Sequence, residues 1–323
     1  MTVVAQPLPD HLAAAPAPER ARSESVWAHA ARSGRVVVGG GVLLLIILLC
    51  VGTLWWTLGG EPGLYAAQDA DAVRQAPKLA APRAWFGYDT LGRSVLARCL
   101  LGGTISLAVG IAAATIAVVL GVTVGLIAGY RGGWVDSALM RTVDVLYGLP
   151  YILLVILFKI AFEPHLEWLF GSKQAANLVV LFSAIGLVSW LTMARVVRGQ
   201  VLSLRAQPFI EACRAMGIPP ARVFVKHILP NLVGPVTVYA TLTVPQAILQ
   251  ESFLSFLGVG VNLPLPTWGN MAAEAVQGLS PVKVYWWMLA FPCILLVVTL
   301  LSLNFMGDGL RDVFDPKREA AKI

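Results

Sequence analysis

Charge is scarce in this sequence. Only 13% of its 323 residues are Asp, Glu, Lys or Arg, against 57% hydrophobic, too few to cover the surface of a soluble domain of this length. Many of the hydrophobic residues lie in runs long enough to cross a bilayer, so the composition defines an integral membrane protein. Cysteine is sparse as well. Cys50 and Cys293 fall inside apolar runs, Cys99 beside another and Cys213 in a charged segment, without the spacing of a disulfide framework or a zinc site. His11, His29, His165 and His227 lie in separate segments, and H-E-x-x-H and G-x-S-x-G are missing, which disfavours an intramembrane hydrolase. No G-x-x-x-x-G-K-[ST] occurs, so the chain binds no ATP through a P-loop. The net charge of +6 is not gathered into a basic patch interleaved with aromatics. It points to the cytoplasmic Lys/Arg bias of a membrane protein and away from nucleic acid.

What the chain has is six apolar runs, at residues 36–58, 104–129, 143–161, 175–194, 232–257 and 284–306. The first would be about 35 Å long as a helix, enough to span with some tilt. The residues before it are too polar and too numerous for a signal peptide's basic region, and no A-x-A cleavage site follows, so it reads as an uncleaved anchor. The fold class predicted is an all-α membrane protein with six transmembrane helices. Its parts are a tail at 1–35, rich in Ala and Pro and expected to be disordered up to about Arg22, the anchor helix 36–58, a loop 59–103, a five-helix core 104–306 and a second tail 307–323. Within the loop, residues 91–101, LGRSVLARCLL, are expected to lie as an amphipathic helix on the outer surface.

With the N-terminus inside, 16 of the 24 Lys and Arg fall on inner segments, so both termini and the loop 197–231 are expected to be cytoplasmic. Tyr285, Trp286 and Trp287 suit an outer aromatic belt, and Trp55 and Trp56 another. Gly121, Gly125 and Gly129, extended by Ala113 and Ala117, put small residues on one helix face, which lets backbones approach closely; internal packing is the expected use. Pro150, Pro235, Pro245 and Pro292 are expected to kink their spans.

Polar groups gather in and after the fifth span. Gln246, Gln250, Glu251 and Ser255 are candidates for a transport pathway or gate, with Ser252 and Asn262 beside them. Two readings of Glu251 stand equal, pathway group or brace for the outer loop. Asp144 has the same ambiguity, with Arg141 one turn away as a possible ion-pair partner.

Residues 211–230, EACRAMGIPPARVFVKHILP, form a charged island between two spans. Glu211, Arg214, Arg222, Lys226 and His227 keep it out of hydrocarbon, where a charge near the centre costs about 3 kcal/mol. Pro208 suits a first helical turn, and Gly217 followed by Pro219 and Pro220 is a stop signal. A short helix, a turn and a second helical piece up to Pro230 are predicted.

The island resembles the EAA motif of the membrane subunits of bacterial binding-protein-dependent ABC importers, through Glu211, Ala212, Gly217, Leu229 and Pro230. It departs at Cys213, where a second Ala is usual. The string from His227 to Asn231 is typical of the dipeptide/oligopeptide/nickel subfamily. FGYDTLGRSVLARCLLGGTISLAVG from Phe86, ESFLSFLGVGVNLPLPTWGN from Glu251 and NFMGDGLRDVFDP from Asn304 are similar to its C-type permease, with Ser94 where Asp is common.

This resemblance implies a type I ABC importer permease architecture. It also implies a homologous second permease subunit as heterodimer partner, two cytoplasmic ATPase subunits that bind the ATP and Mg, and an extracytoplasmic solute-binding protein. No cofactor or metal is implied for this chain, no chemistry of its own, and no nucleic acid; the cargo implied is di- or oligopeptide and the location a bacterial inner membrane. The coupling helix docking on an ATPase would be residues 208–217, with Phe209, Glu211, Ala212, Arg214, Ala215, Gly217 and, further on, Pro230 as its positions. Rival readings are a stand-alone ion-coupled secondary transporter using Glu251 or Asp144, and a membrane scaffold.

Overall fold

A computed structural model describes residues 33–278 and 283–314. The disorder expected up to Arg22, residues 315–323, and Arg20, Arg22, Arg32, Lys317, Arg318 and Lys322 of the Lys and Arg count lie outside the described residues. Among the described residues the chain folds into helices, with one isolated β-bridge between Tyr88 and Ser94.

Five helical runs are long and apolar enough to cross a membrane. They are α1 (Gly34–Gly52) continued by the one-turn α2 (Leu54–Thr57), α3 (Val95–Arg131), α6 (Lys173–Arg205), the run containing α8 (Pro220–Val223) and α9 (Leu229–Phe256), and α11 (Trp286–Phe314). Between α3 and α6 lies a sixth, broken span, made of α4 (Gly133–Tyr147) and α5 (Tyr151–Phe170) at 95° to each other. The third span, expected to be kinked at Pro150, is bent more sharply than a kink. Pro150 has no N–H to give and pushes Leu149 away from helical geometry, so the chain turns sharply where a kink was expected. Most helices also outrun the hydrophobic windows that announced them, because backbone bonding continues past the first charges: α6 carries Arg195, Arg198 and Arg205 within one helix.

The most extensive packing joins α3 to α6. A Cβ added to Gly121, Gly125 or Gly129 would stand 2.5 Å from the Met193 Cβ, 2.6 Å from the Ala194 carbonyl oxygen or 2.8 Å from the Val201 Cβ. Ala113 and Ala117 are fully buried on the same helix. The small-residue face is thus a seam inside this chain, as expected.

Residues 91–101 do not form a surface helix. Ser94 is the N-cap of α3, accepting from the Ala97 N–H at 3.3 Å, and Val95, Ala97, Arg98, Cys99 and Leu101 are buried. Ser and Asp cap helices about equally well, so Ser94 does there what Asp would do. Arginines that looked like a polar face are neutralised internally. Arg98, 1% exposed, donates to Asp89 at 2.6 Å and to both oxygens of Glu274 at 2.6 and 2.7 Å, and Arg93 donates to the same two carboxylates at 2.6 Å. Glu274 sits on α10 (Trp268–Gln277), a helix between the fifth and sixth spans with a capping box of Thr267 and Asn270.

The loop before α3 is therefore clamped to the end of the bundle where α10 lies. Phe86 stacks on Phe291 at 3.9 Å, and the Trp287 indole N–H donates to the Tyr88 carbonyl at 3.2 Å. Trp287 is a buried anchor, which corrects its place in an aromatic belt, whereas Trp55 is 79% exposed.

Candidate functional site

At the bundle end away from α10, the chain leaves α6 and forms α7 (Pro208–Ala215), with Pro208 in its first turn. Glu211 lies near its N-terminal end and Arg214 in its last turn, each on the side that the helix dipole favours. Gly217 ends it at φ +69°, with its N–H on the Arg214 carbonyl at 3.0 Å and the Ile218 N–H on the Cys213 carbonyl at 3.1 Å. This is a Schellman stop, which needs a residue free to take positive φ.

Only Ile210 and Cys213 of α7 are buried. They are three residues apart, on one face, and enter a cluster with Val197 and Val201 of α6, Val223 of α8, and Ile228 and Leu232. Phe209, Glu211, Ala212, Arg214 and Ala215 are exposed on the rest of the helix. Arg214 also borders a cleft of about 300 Å³ with Arg205 and Tyr130. Pro230 is apart from α7, near the start of α9. The second helical piece does not stop there: α8 passes through a π-helical turn, Phe224–Ile228, straight into the fifth span. A π turn widens the ladder just before a residue that lacks a donor N–H, so Pro230 is absorbed without a break. Around this end Phe209, Met216, Val225 and Leu229 present apolar surface, Met216 at 70% exposure.

The second region is a cavity of about 460 Å³ between α9, α6 and the α4–α5 break. Gln246 and Gln250 line it, as a pathway role would require, together with Tyr151, Ser189, Thr192 and Thr243. Glu251 and Ser255 do not line it. Glu251 is fully buried. It accepts from Ser255 at 2.6 Å, from Ser106 of α3 at 3.1 Å and from Ser252 at 3.4 Å, while the Ser255 oxygen accepts the Val261 N–H at 3.1 Å. Gln250 and Glu251 are neighbours on the helix, about 100° apart, so that one reaches the cavity and the other the packed contact with α3; the geometry around Glu251 is that of the brace. Asp144 pairs with Arg195 at 2.9 Å, not with Arg141, and the Arg195 guanidinium lies 4.1 Å from the Tyr147 ring centroid.

Lys159 was missed, although it is a charge inside a predicted span. Its ammonium donates to the carbonyls of Val259 and Gly260 at 2.9 and 3.1 Å, just past the end of α9, where a cation complements the helix dipole.

Helices long and apolar enough to cross a membrane, set around an uncharged polar cavity, make up the architecture of a membrane transport protein. Residues 121–320 match the family model of the binding-protein-dependent transport system inner membrane component. The oligopeptide transport system permease protein OppC of Haemophilus influenzae is 43% identical over 79% of this chain and 77% of its own length. OppC of Escherichia coli is 44% identical over 78% and 79%, and the dipeptide transport system permease protein DppC of Bacillus subtilis 42% over 72% and 68%. A chain of the inward-facing MetNI methionine ABC transporter superposes with a TM-score of 0.54 over 68% of this chain and 96% of its own, at 20% identity, which is a likeness of fold alone. The chain belongs to the family of binding-protein-dependent transport system inner membrane components, as a multi-pass permease subunit of an ABC importer.

Proposed function

We propose that this permease forms half of a translocation pathway for di- or oligopeptides. A homologous second permease supplies the other half, two cytoplasmic ATPase subunits carrying ATP and Mg drive it, and an extracytoplasmic solute-binding protein delivers the cargo. Both termini and α7 face the cytoplasm in this reading, in keeping with the Lys/Arg bias. The peptide cargo is supported by relatives named for oligopeptide and dipeptide transport, similar over more than two thirds of both chains. ATP binding can shift inward-open against outward-open only through contacts that differ between the two states, so a coupling element has to be stiff and exposed together.

The observation that carries the coupling assignment is the division of α7. Its Ile210 and Cys213 face is locked into the bundle while Phe209, Glu211, Ala212, Arg214 and Ala215 are free for an ATPase groove. Glu211→Lys reverses an exposed charge without touching the core, and Gly217→Pro forces φ to about −65° where +69° is needed. Each is expected to leave assembly with the ATPases intact and to abolish most substrate-stimulated ATP hydrolysis and uptake. Full uptake by both variants, or uptake by this chain alone under an ion gradient, would remove the assignment.

A further inference from the structure

The cavity beside α9 holds two polar atoms that none of the described residues satisfies. The Gln250 carbonyl oxygen Oε1 and the Tyr151 hydroxyl are both buried without a hydrogen-bond partner, and both residues line the cavity. Buried polar groups are ordinarily paired, so two orphans on the wall of one chamber mark a place where something else supplies the partners. At about 460 Å³ the chamber falls within the range of small-molecule sites, roughly 300 to 1,000 Å³.

The chemistry of the walls narrows the ligand. Every lining residue is uncharged, and Gln246, Thr243, Ser189 and Thr192 add amide and hydroxyl groups to Gln250 and Tyr151. A charge placed against these walls would give up hydration without meeting a counter-charge, so they suit the uncharged stretch of a solute whose charged ends stay in water. A neutral group with both a donor and an acceptor meets both orphans at once. Gln250 Oε1 can only accept, so the ligand must bring an N–H or O–H, and the Tyr151 hydroxyl can then donate to a carbonyl.

We propose that this cavity binds the backbone amides of a peptide in passage, with Gln250 accepting a backbone N–H and Tyr151 donating to a backbone carbonyl. Such a site ignores side chains and reads what all peptides share. It rests on the peptide-importer reading above and adds the position and chemistry of one contact.

Trialanine and trisarcosine test it, because they have the same formula but trisarcosine has no interior amide N–H. In the assembled importer, maleimide labelling of Thr243→Cys reports occupancy of the cavity. Trialanine is expected to slow the labelling in a saturable way and at lower concentration than trisarcosine. Adding Gln250→Met should raise the half-protecting concentration of trialanine about three- to tenfold, the worth of one neutral hydrogen bond, and leave that of trisarcosine unchanged. Should Gln250→Met fail to co-purify with its partners, Tyr151→Phe is expected to raise the half-protecting concentration of both peptides, since both carry the carbonyl to which Tyr151 donates, and an unchanged value for both overturns the proposal. Equal protection by the two peptides means that the cavity admits them without reading an N–H, and no protection by either at concentrations that saturate uptake means that it holds only water; each overturns the proposal. ATP-driven trialanine uptake without protection sinks this site alone; absence of ATP-driven uptake sinks the importer reading and this site with it.

Discussion

Replacing Ile210 by Ala should loosen α7 without unfolding the bundle. Ile210 is fully buried, and with Cys213 it is one of the two buried side chains of an eight-residue helix. An isolated helix of that length has no stability in water, so its order depends on this contact. Truncating a buried Ile to Ala costs about 2–5 kcal/mol, and the lower part of that range applies where neighbours can settle into the space, as they can at an exposed end. The loss falls on the docking of α7, since Val197, Val201, Ile228 and Leu232 still pack on one another beneath it. Some 2–3 kcal/mol corresponds to a roughly 30- to 150-fold rise in the open population of α7. Amide hydrogen exchange of residues 211–217 in the assembled importer reads that rise directly. The thermal midpoint of the complex should scarcely move, and ATP hydrolysis stimulated by substrate should fall while co-purification with the ATPases persists. Ile210→Val, costing about 0.5–1.5 kcal/mol, should give a proportionately smaller acceleration. Exchange that speeds up equally through α6 and α9, or not at all in α7, would refute the idea that this side chain is what holds α7 rigid.

The buried ion cluster gives a stability test. Arg98→Met leaves Asp89 and Glu274 to share Arg93, and breaking such a buried set costs about 3–5 kcal/mol, to be read as a lowered thermal midpoint; an unchanged midpoint would mean the cluster does not hold the loop. The α3–α6 seam gives another. Gly125→Leu must push apart helices whose present spacing leaves 2.6 Å to the Ala194 carbonyl oxygen, at about 1–3 kcal/mol or more. Gly199→Ala in α6, where an added Cβ meets nothing within 4 Å, should instead stabilise by about 0.4–1 kcal/mol. Similar midpoints for both glycine variants would contradict the close approach.

The spans were legible because burying backbone in lipid demands long apolar runs, and α7 was legible because Pro208 and Gly217 are the residues its two ends require. The ion cluster was not: Arg93 and Glu274 are separated by 181 positions, and nothing local to Arg93 or Arg98 distinguishes a buried arginine from a solvated one. α10 escaped notice because it is ten residues long and its capping box uses Asn270 where Glu or Gln is the usual signal. Lys159 was hidden by its apolar surroundings. At the site itself the motif pointed to the exposed residues of α7 and passed over Ile210, the anchor. In the fifth span it offered Gln250 and Glu251 as one group, although neighbours on a helix point about 100° apart and here part company between cavity and brace.

The passage from α8 into α9 makes a single helical run of 37 residues, Pro220–Phe256, about 55 Å long. Leverage follows from that length. A tilt of about 5° at the α7 end displaces the other end by roughly 5 Å if the run moves as one rod, and that other end carries the Glu251 brace. The rod's proximal tip is beside α7 and its distal tip is tied by Ser106 to α3, so a small angular input at one face of the membrane has a fixed mechanical advantage at the other.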